Sequence, residues 1–218
     1  MLGKIARLKA KMLIVKKACR VLVTYVIGII GIVGSPRIGG NTEIIVNEAL
    51  KTAEGEGCKT ELIRLADKNI KPCDACLSCR QTGECHIKDD FKEIFNKMVE
   101  ADGIILASPV YFGSATPQIM ALVQRAGYIS QAKGRVFENK VGGPIVVARR
   151  AGQNFTLAQL LFFFLHQGMI VPGSTYWNVA FGREKGEVLN DEEGLATARN
   201  FAKKIVWLIK KIKASGEK

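Results

Sequence analysis

The stretch CDACLSCRQTGEC, residues 73–85, carries four of the chain's six cysteines at the spacing C-x2-C-x2-C-x5-C. Thiols packed this densely can pair as disulfides, close on a zinc ion, or hold an iron–sulfur cluster. Disulfides are disfavoured in a reducing compartment. C-x2-C is a zinc half-site, but structural zinc sites usually put a longer segment between two such pairs. A C-x2-C-x2-C run is the spacing of a cluster loop, and Cys85 lies close enough in sequence to complete the same cluster. Small residues at Ala75, Ser78 and Gly83 leave room around the metal. The spacing therefore favours a cluster on Cys73, Cys76, Cys79 and Cys85, with metal-free thiols and zinc as the other readings. Cys19 and Cys58 fall outside the loop and read as buried or idle. His86 reads as structural, and His166 as a core or interface residue.

A second constellation is GSPRIGGNT, residues 34–42, between an apolar run and a helical pattern. Glycines allow a tight turn, and the helix start offers unpaired N–H groups at its positive dipole end. Ser35, Asn41 and Thr42 add side-chain donors and Arg37 adds a cation. The loop lacks the Gly-Lys-Ser/Thr ending of a nucleoside-triphosphate loop and the G-x-G-x-x-G dinucleotide fingerprint. It suits a single phosphomonoester bound without metal. A third stretch, Pro109-Val110-Tyr111-Phe112-Gly113, ends an apolar run with two aromatics that read as core when taken alone, but that could line a planar ligand beside a phosphate cradle one strand away.

The elements that must position these loops are legible as alternating patterns. Strands are expected at IIGIVGS, at TELIRL (60–65), at GIILAS (103–108), at GPIVVA (143–148) and at GMIVPG (168–173). Helical spacing links Val46, Ala49, Leu50 and Ala53, then Phe91, Ile94, Phe95 and Met98 behind an Asp90-x-x-Glu93 capping box. Pro117 suits a first helical turn. Leu157, Leu160, Leu161 and Phe164 mark a further helix, and Ala198 through Ile212 the last. Continuous apolar strands alternating with helices imply a parallel sheet covered on both faces, with ligands beyond the strands' carboxyl ends.

The chain has 218 residues, 48% of them hydrophobic, enough for one buried core. Its net charge of +12 is confined to the ends: residues 1–20 carry seven basic groups and no acid, and residues 203–218 carry six lysines and one acid, which leaves the body neutral. A nucleic-acid groove would interleave basic residues with stacking aromatics, so nucleic acid is not an expected partner. Residues 1–20 read as an appended basic helix with Ile5, Leu8, Met12, Val15 and Cys19 along one stripe, and a membrane surface is a minor alternative for it. Val21–Val33 mimics a signal peptide, but it is too short to span a bilayer and no cleavage site follows. A cytoplasmic protein is expected.

Taken in order, GSPRIGGNT, SPVYFGSATPQIMALVQR (108–125) and ARRAGQNFTLAQLLFFFLHQGMIVPG (148–173) resemble the three flavin loops of flavodoxin-fold FMN reductases over roughly Val26–Lys213. Within that fold the cysteine spacing resembles the iron–sulfur flavoproteins of anaerobic microbes. The resemblance implies a flavodoxin-like, doubly wound five-stranded parallel sheet over residues 21–218, with a cysteine-rich loop at 71–88. It implies FMN on Ser35, Arg37, Gly39, Gly40, Asn41, Thr42, Pro109, Tyr111, Phe112, Gly113, Arg149, Arg150, Ala151 and Gly152. It implies a 4Fe–4S cluster on Cys73, Cys76, Cys79 and Cys85, beside the flavin. Arg149 and Arg150 depart from the family's glycine-rich third loop; they could face the flavin pyrimidine, a nicotinamide phosphate or solvent. The implied function is electron transfer between a one-electron donor such as ferredoxin and a two-electron small-molecule or protein acceptor, in a homodimer or homotetramer. The alternative is a cluster-free NAD(P)H-dependent FMN or quinone reductase.

Overall fold

A computed structural model describes residues 26–216 of the chain. The basic segment 1–20 lies outside the described residues. Five parallel strands form one sheet: β1 (Gly28–Val33), β2 (Lys59–Arg64), β3 (Gly103–Pro109), β4 (Val141–Ala148) and β5 (Val179–Phe181), in the order β2-β1-β3-β4-β5. That order is the flavodoxin-like doubly wound arrangement, with the switch point between β1 and β3. The helices are α1 (Asn41–Gly55), α2 (Cys79–Thr82), α3 (Phe91–Glu100), α4 (Pro117–Ala132), α5 (Gln153–His166) and α6 (Glu192–Ser215).

The strand pleat sends alternate residues to opposite faces. Ile30 and Ile32 of β1 therefore join the core under α3, α4 and α5, with Phe91, Ile94, Met98, Ile119, Leu122 and Phe164. Ile29 and Val33 join the core under α1 and α6, with Ile45, Val46, Phe201, Ile205 and Ile209. Both faces are buried, which is why the central strands read as unbroken apolar runs.

Two expectations are corrected. The segment 168–173 is not the fifth strand. Ile170 makes a single bridge to Val141 and the chain then leaves the sheet; Pro172 has no N–H to continue a ladder. The edge position is filled by Val179–Phe181, three residues long and too short to give a periodic signal. The Asp90/Glu93 capping box does not form either. Asp90 makes no cap hydrogen bond to the helix and accepts instead from Asn69 N–H at 2.7 Å, while Glu93 pairs with Lys68 and Lys97. Asp89 accepts from Phe91 N–H at 3.2 Å. No described helix is long and apolar enough to cross a membrane.

Candidate functional site

The loops after β1, β3 and β4 converge on a cleft of about 290 Å³, lined by Ser35, Arg37, Asn41, Thr42, Pro109, Tyr111, Arg149 and Arg183 among others. The sequence brings seven of its expected flavin residues to the lining from three loops far apart in the chain. In the first loop Gly39 adopts φ +65°, and a Cβ on Gly40 would lie 2.9 Å from Arg37 O, so the turn into α1 needs both glycines. Ser35 Oγ accepts from Arg37 N–H at 3.2 Å. The N–H groups opening α1 face no intrahelical acceptor, as at any helix start, and form the anion-binding end.

Three residues unmarked in the sequence shape this end. Glu43, buried in the first turn of α1, accepts from Gly39 N–H at 2.7 Å and from Arg64 Nη2 at 2.7 Å. Lys185 brings its ammonium so close to Gly39 that a Cβ there would sit 3.1 Å from Nζ. Arg183 accepts through its carbonyl from Arg37 Nη1 at 3.3 Å. Asn41 plays a different part from the donor expected of it. Its Nδ2 donates to Glu184 O at 2.8 Å, and its Oδ1 accepts from Gly186 N–H at 2.9 Å and Val188 N–H at 3.4 Å. Its side chain thus braces the loop that carries Arg183 and Lys185. These contacts link residues nearly 150 positions apart, a separation no local pattern reveals.

The hydrogen bond from Arg64 holds the Glu43 carboxyl below its ordinary value of 4.5, against the opposing effect of burial. A depressed folded-state pKa stabilises the fold above the unfolded value and stops doing so as pH falls through the folded one. Glu43→Gln is therefore expected to lower the thermal midpoint at neutral pH and to flatten its decline below about pH 4.5, measured by melting the two proteins in parallel across the acid range.

In the second loop Tyr111 and Ser114 exchange backbone hydrogen bonds of 2.8 and 3.0 Å around Phe112 and Gly113, both with positive φ. This is the two-residue turn that left-handed residues make. Tyr111 reaches the cleft wall. Phe112, expected as a ring-lining residue, instead projects fully into solvent, and holding a phenylalanine at φ +51° is strained. In the third loop Arg149 lines the cleft, whereas Arg150 and Ala151 are exposed beyond its wall. Gly152 stands at φ +86°, where a Cβ would lie 2.9 Å from Val110 and 3.1 Å from Gly113, so the third loop is pressed against the second. Gln153, next in line, has a buried Oε1 with no hydrogen-bond partner.

The four cysteines line one small cavity with Leu77, Arg125, Tyr128 and Ile129. Ala75 and Leu77 both adopt φ +59°, and this alternation folds the segment around the thiols. Cys73 Sγ accepts from Ala75 N–H at 3.4 Å, Cys76 Sγ lies 3.3 Å from Ser78 Oγ, and Cys85 Sγ accepts from Arg125 Nη2 at 3.2 Å. Burial, reinforced by the three neighbouring thiols, pushes the Cys79 thiol up, so ligation there must release a proton. Among the described residues, Asp74, Cys76 and His86 are the one group of three or more potential ligands whose ligand atoms all lie within 4.8 Å of one another. Four thiolates on one tetrahedral zinc would be roughly 3.8 Å apart, given Zn–S near 2.3 Å. The four thiols share one cavity, and four sulfur ligands on one loop are the donor set of a polynuclear cluster. His86 Nε2 lies 2.6 Å from Asp74 Oδ2 on the loop surface. Cys58 is buried. His166 is exposed rather than core, beside Gln131 and Gln167.

One expected relation differs. The linings of the cysteine cavity and of the cleft share no residue. The cavity rests on Arg125–Ile129 of α4, and Arg125 lies roughly 12 Å along the helix from Pro117 at 1.5 Å per residue. In a single chain the thiols lie on the α4 flank, not at the mouth of their own cleft.

Residues 27–184 match the family model of the NADPH-dependent FMN reductases. An iron–sulfur flavoprotein of Methanocaldococcus jannaschii is 45% identical over 192 residues, covering 85% of this chain and 98% of that one. An iron–sulfur flavoprotein of Methanosarcina thermophila is 37% identical, covering 87% and 99%. Among solved structures, RosB with bound 8-demethyl-8-formylriboflavin-5'-phosphate superposes with a TM-score of 0.70 at 18% identity, covering 87% of this chain and 81% of that one.

Proposed function

Because the chain belongs to the NADPH-dependent FMN reductase family, and within it to the iron–sulfur flavoproteins, we propose that it passes electrons between a one-electron donor such as ferredoxin and a two-electron acceptor. It is a flavin-dependent oxidoreductase with FMN and an iron–sulfur cluster as cofactors. When bound, the flavin supplies two-electron chemistry and the cluster one-electron chemistry.

The residues fit both groups. The α1 N-terminus, Ser35, Thr42 and the cations Arg37 and Lys185 suit the FMN phosphate. Pro109, Tyr111 and the abutting Gly113 and Gly152 suit a planar ring, and Arg149 suits the negative charge of a reduced ring. Cys73, Cys76, Cys79 and Cys85 would hold the cluster. The observation that carries the reading is that all four thiols of the C-x2-C-x2-C-x5-C loop line one cavity.

The separation of cavity and cleft within one chain supports transfer between subunits of a homodimer or homotetramer. α5 exposes Phe155, Phe162 and Leu165, and α4 exposes Tyr128. Tyr128 lines both the cysteine cavity and the open groove between these helices. A partner packed there would approach the thiols from the side. A reducing cytoplasm suits four free cysteines.

The test is anaerobic mixing with reduced ferredoxin or with NADPH, followed at the flavin absorbance. Reduced ferredoxin is expected to bleach the flavin, and a chain lacking the cluster is expected to lose that route while dithionite still reduces it. Equal bleaching by ferredoxin with and without the cluster would sink the proposal.

A further inference from the structure

Arg125 and Asp89 form an ion pair enclosed on all sides. The Arg125 side chain is 1% exposed and that of its partner Asp89 is 0% exposed. Nη1 donates to Asp89 Oδ2 at 2.6 Å and to Lys71 O at 3.0 Å. Nη2 donates to Asp89 Oδ1 at 3.0 Å, to Cys85 Sγ at 3.2 Å and, at 3.5 Å, to Ile87 O. The guanidinium lies 4.2 Å from the centre of the Phe91 ring. Asp89 also accepts from Lys71 N–H at 2.9 Å. Burial works against the Asp89 charge, yet these hydrogen bonds prevail and hold the carboxyl below its ordinary range.

This geometry ties the entry of the cysteine segment, at Lys71, to its exit, at Cys85–Asp89. A bidentate Arg–Asp fork would do that alone. The remaining Nη2 hydrogen is turned to sulfur, and Cys85 is the one thiol of the four with a hydrogen bond from a charged donor. Cys73 and Cys76 have neutral partners.

Resting on the iron–sulfur reading above, we propose that Arg125 is a positioning residue that fixes Cys85 Sγ and raises the reduction potential of the cluster bound there. Adding one electron, supplied by the reductant with no bond made or broken, increases the negative charge on the ligand sulfurs. A charged N–H donor at 3.2 Å from one of them favours that reduced state. The flavin cleft shares no residue with this cavity, so the flavin potential is an internal control.

The experiment is an EPR-monitored dithionite titration of the anaerobic full chain, comparing wild type with Arg125→Lys and Asp89→Asn. Iron and FMN content are measured on the same samples. Both substitutions weaken the clasp, but they act oppositely on the sulfur. Lysine keeps the charge beside Asp89 and loses the planar fork that reaches Cys85, so the cluster becomes harder to reduce by about tenfold, a shift of about 59 mV for one electron. Asparagine leaves Arg125 with less compensation and shifts the potential the other way. An Arg125→Lys cluster with full iron and an unmoved potential overturns the proposal. So does a shift of both variants in one direction, or loss of iron and FMN together in both, each of which would make Arg125 a packing residue only. A wild-type protein with no iron refutes the iron–sulfur reading itself.

Discussion

Cys76→Ser is expected to reduce iron from about four atoms per chain to near none, while FMN stays at wild-type occupancy. Cys76 sits between Ala75 and Leu77, whose left-handed backbones turn the segment around its thiols. A serine oxygen is a hard, poorly ionised ligand in place of a soft thiolate, and the other three sulfurs cannot move to replace it without refolding that segment. The phosphate loop and ring loops are built on different residues, so the flavin has no reason to leave. Cys76 is exposed, and stability of the metal-free fold should change by no more than about 0.5 kcal/mol. Iron and flavin assays on one anaerobic preparation decide it; retention of full iron would show that the cavity is not the cluster site.

Asn41→Leu should cost more in the fold and in the flavin together. Leucine would strand Glu184 O, Gly186 N–H and Val188 N–H, which now bond to Asn41. An orphaned buried polar group costs about 1–3 kcal/mol, so the loss should be on the order of 3 kcal/mol. The displaced loop carries Arg183 and Lys185 away from the phosphate end. FMN affinity should fall by about ten- to a hundredfold, equivalent to about 1.4–2.8 kcal/mol, together with a lower thermal midpoint. Flavin-fluorescence titration and melting of the apoprotein measure the two effects. An unchanged affinity beside a lowered midpoint would confine Asn41 to structure.

What the sequence disclosed followed distance along the chain. The four cysteines lie within thirteen residues and the phosphate loop within nine, so both were readable as local chemistry. β1, β3 and β4 are buried on both faces, and uninterrupted apolar runs mark such strands. The fifth strand was hidden because Val179–Phe181 is an edge of three residues, while 168–173 is apolar for another reason, packing beside β4. Long-range polar contacts were silent. Asn41 reads as a phosphate donor because its partners stand at 184–188, and nothing local marks Arg125, since Asp89 and Cys85 precede it by 36 and 40 positions. Phe112 shows the limit of residue type as evidence, since an aromatic beside a ring site can point into solvent.

We propose that one fold carries a mononucleotide cleft and a separate four-thiolate metal cavity, both filled in the working protein. Quantitation of iron, acid-labile sulfide and FMN on a single anaerobically purified sample tests it most directly. The account predicts about four irons, about four sulfides and about one FMN per chain, in a brown protein with broad absorption near about 400 nm. A yellow protein with full FMN and no iron or sulfide would contradict it.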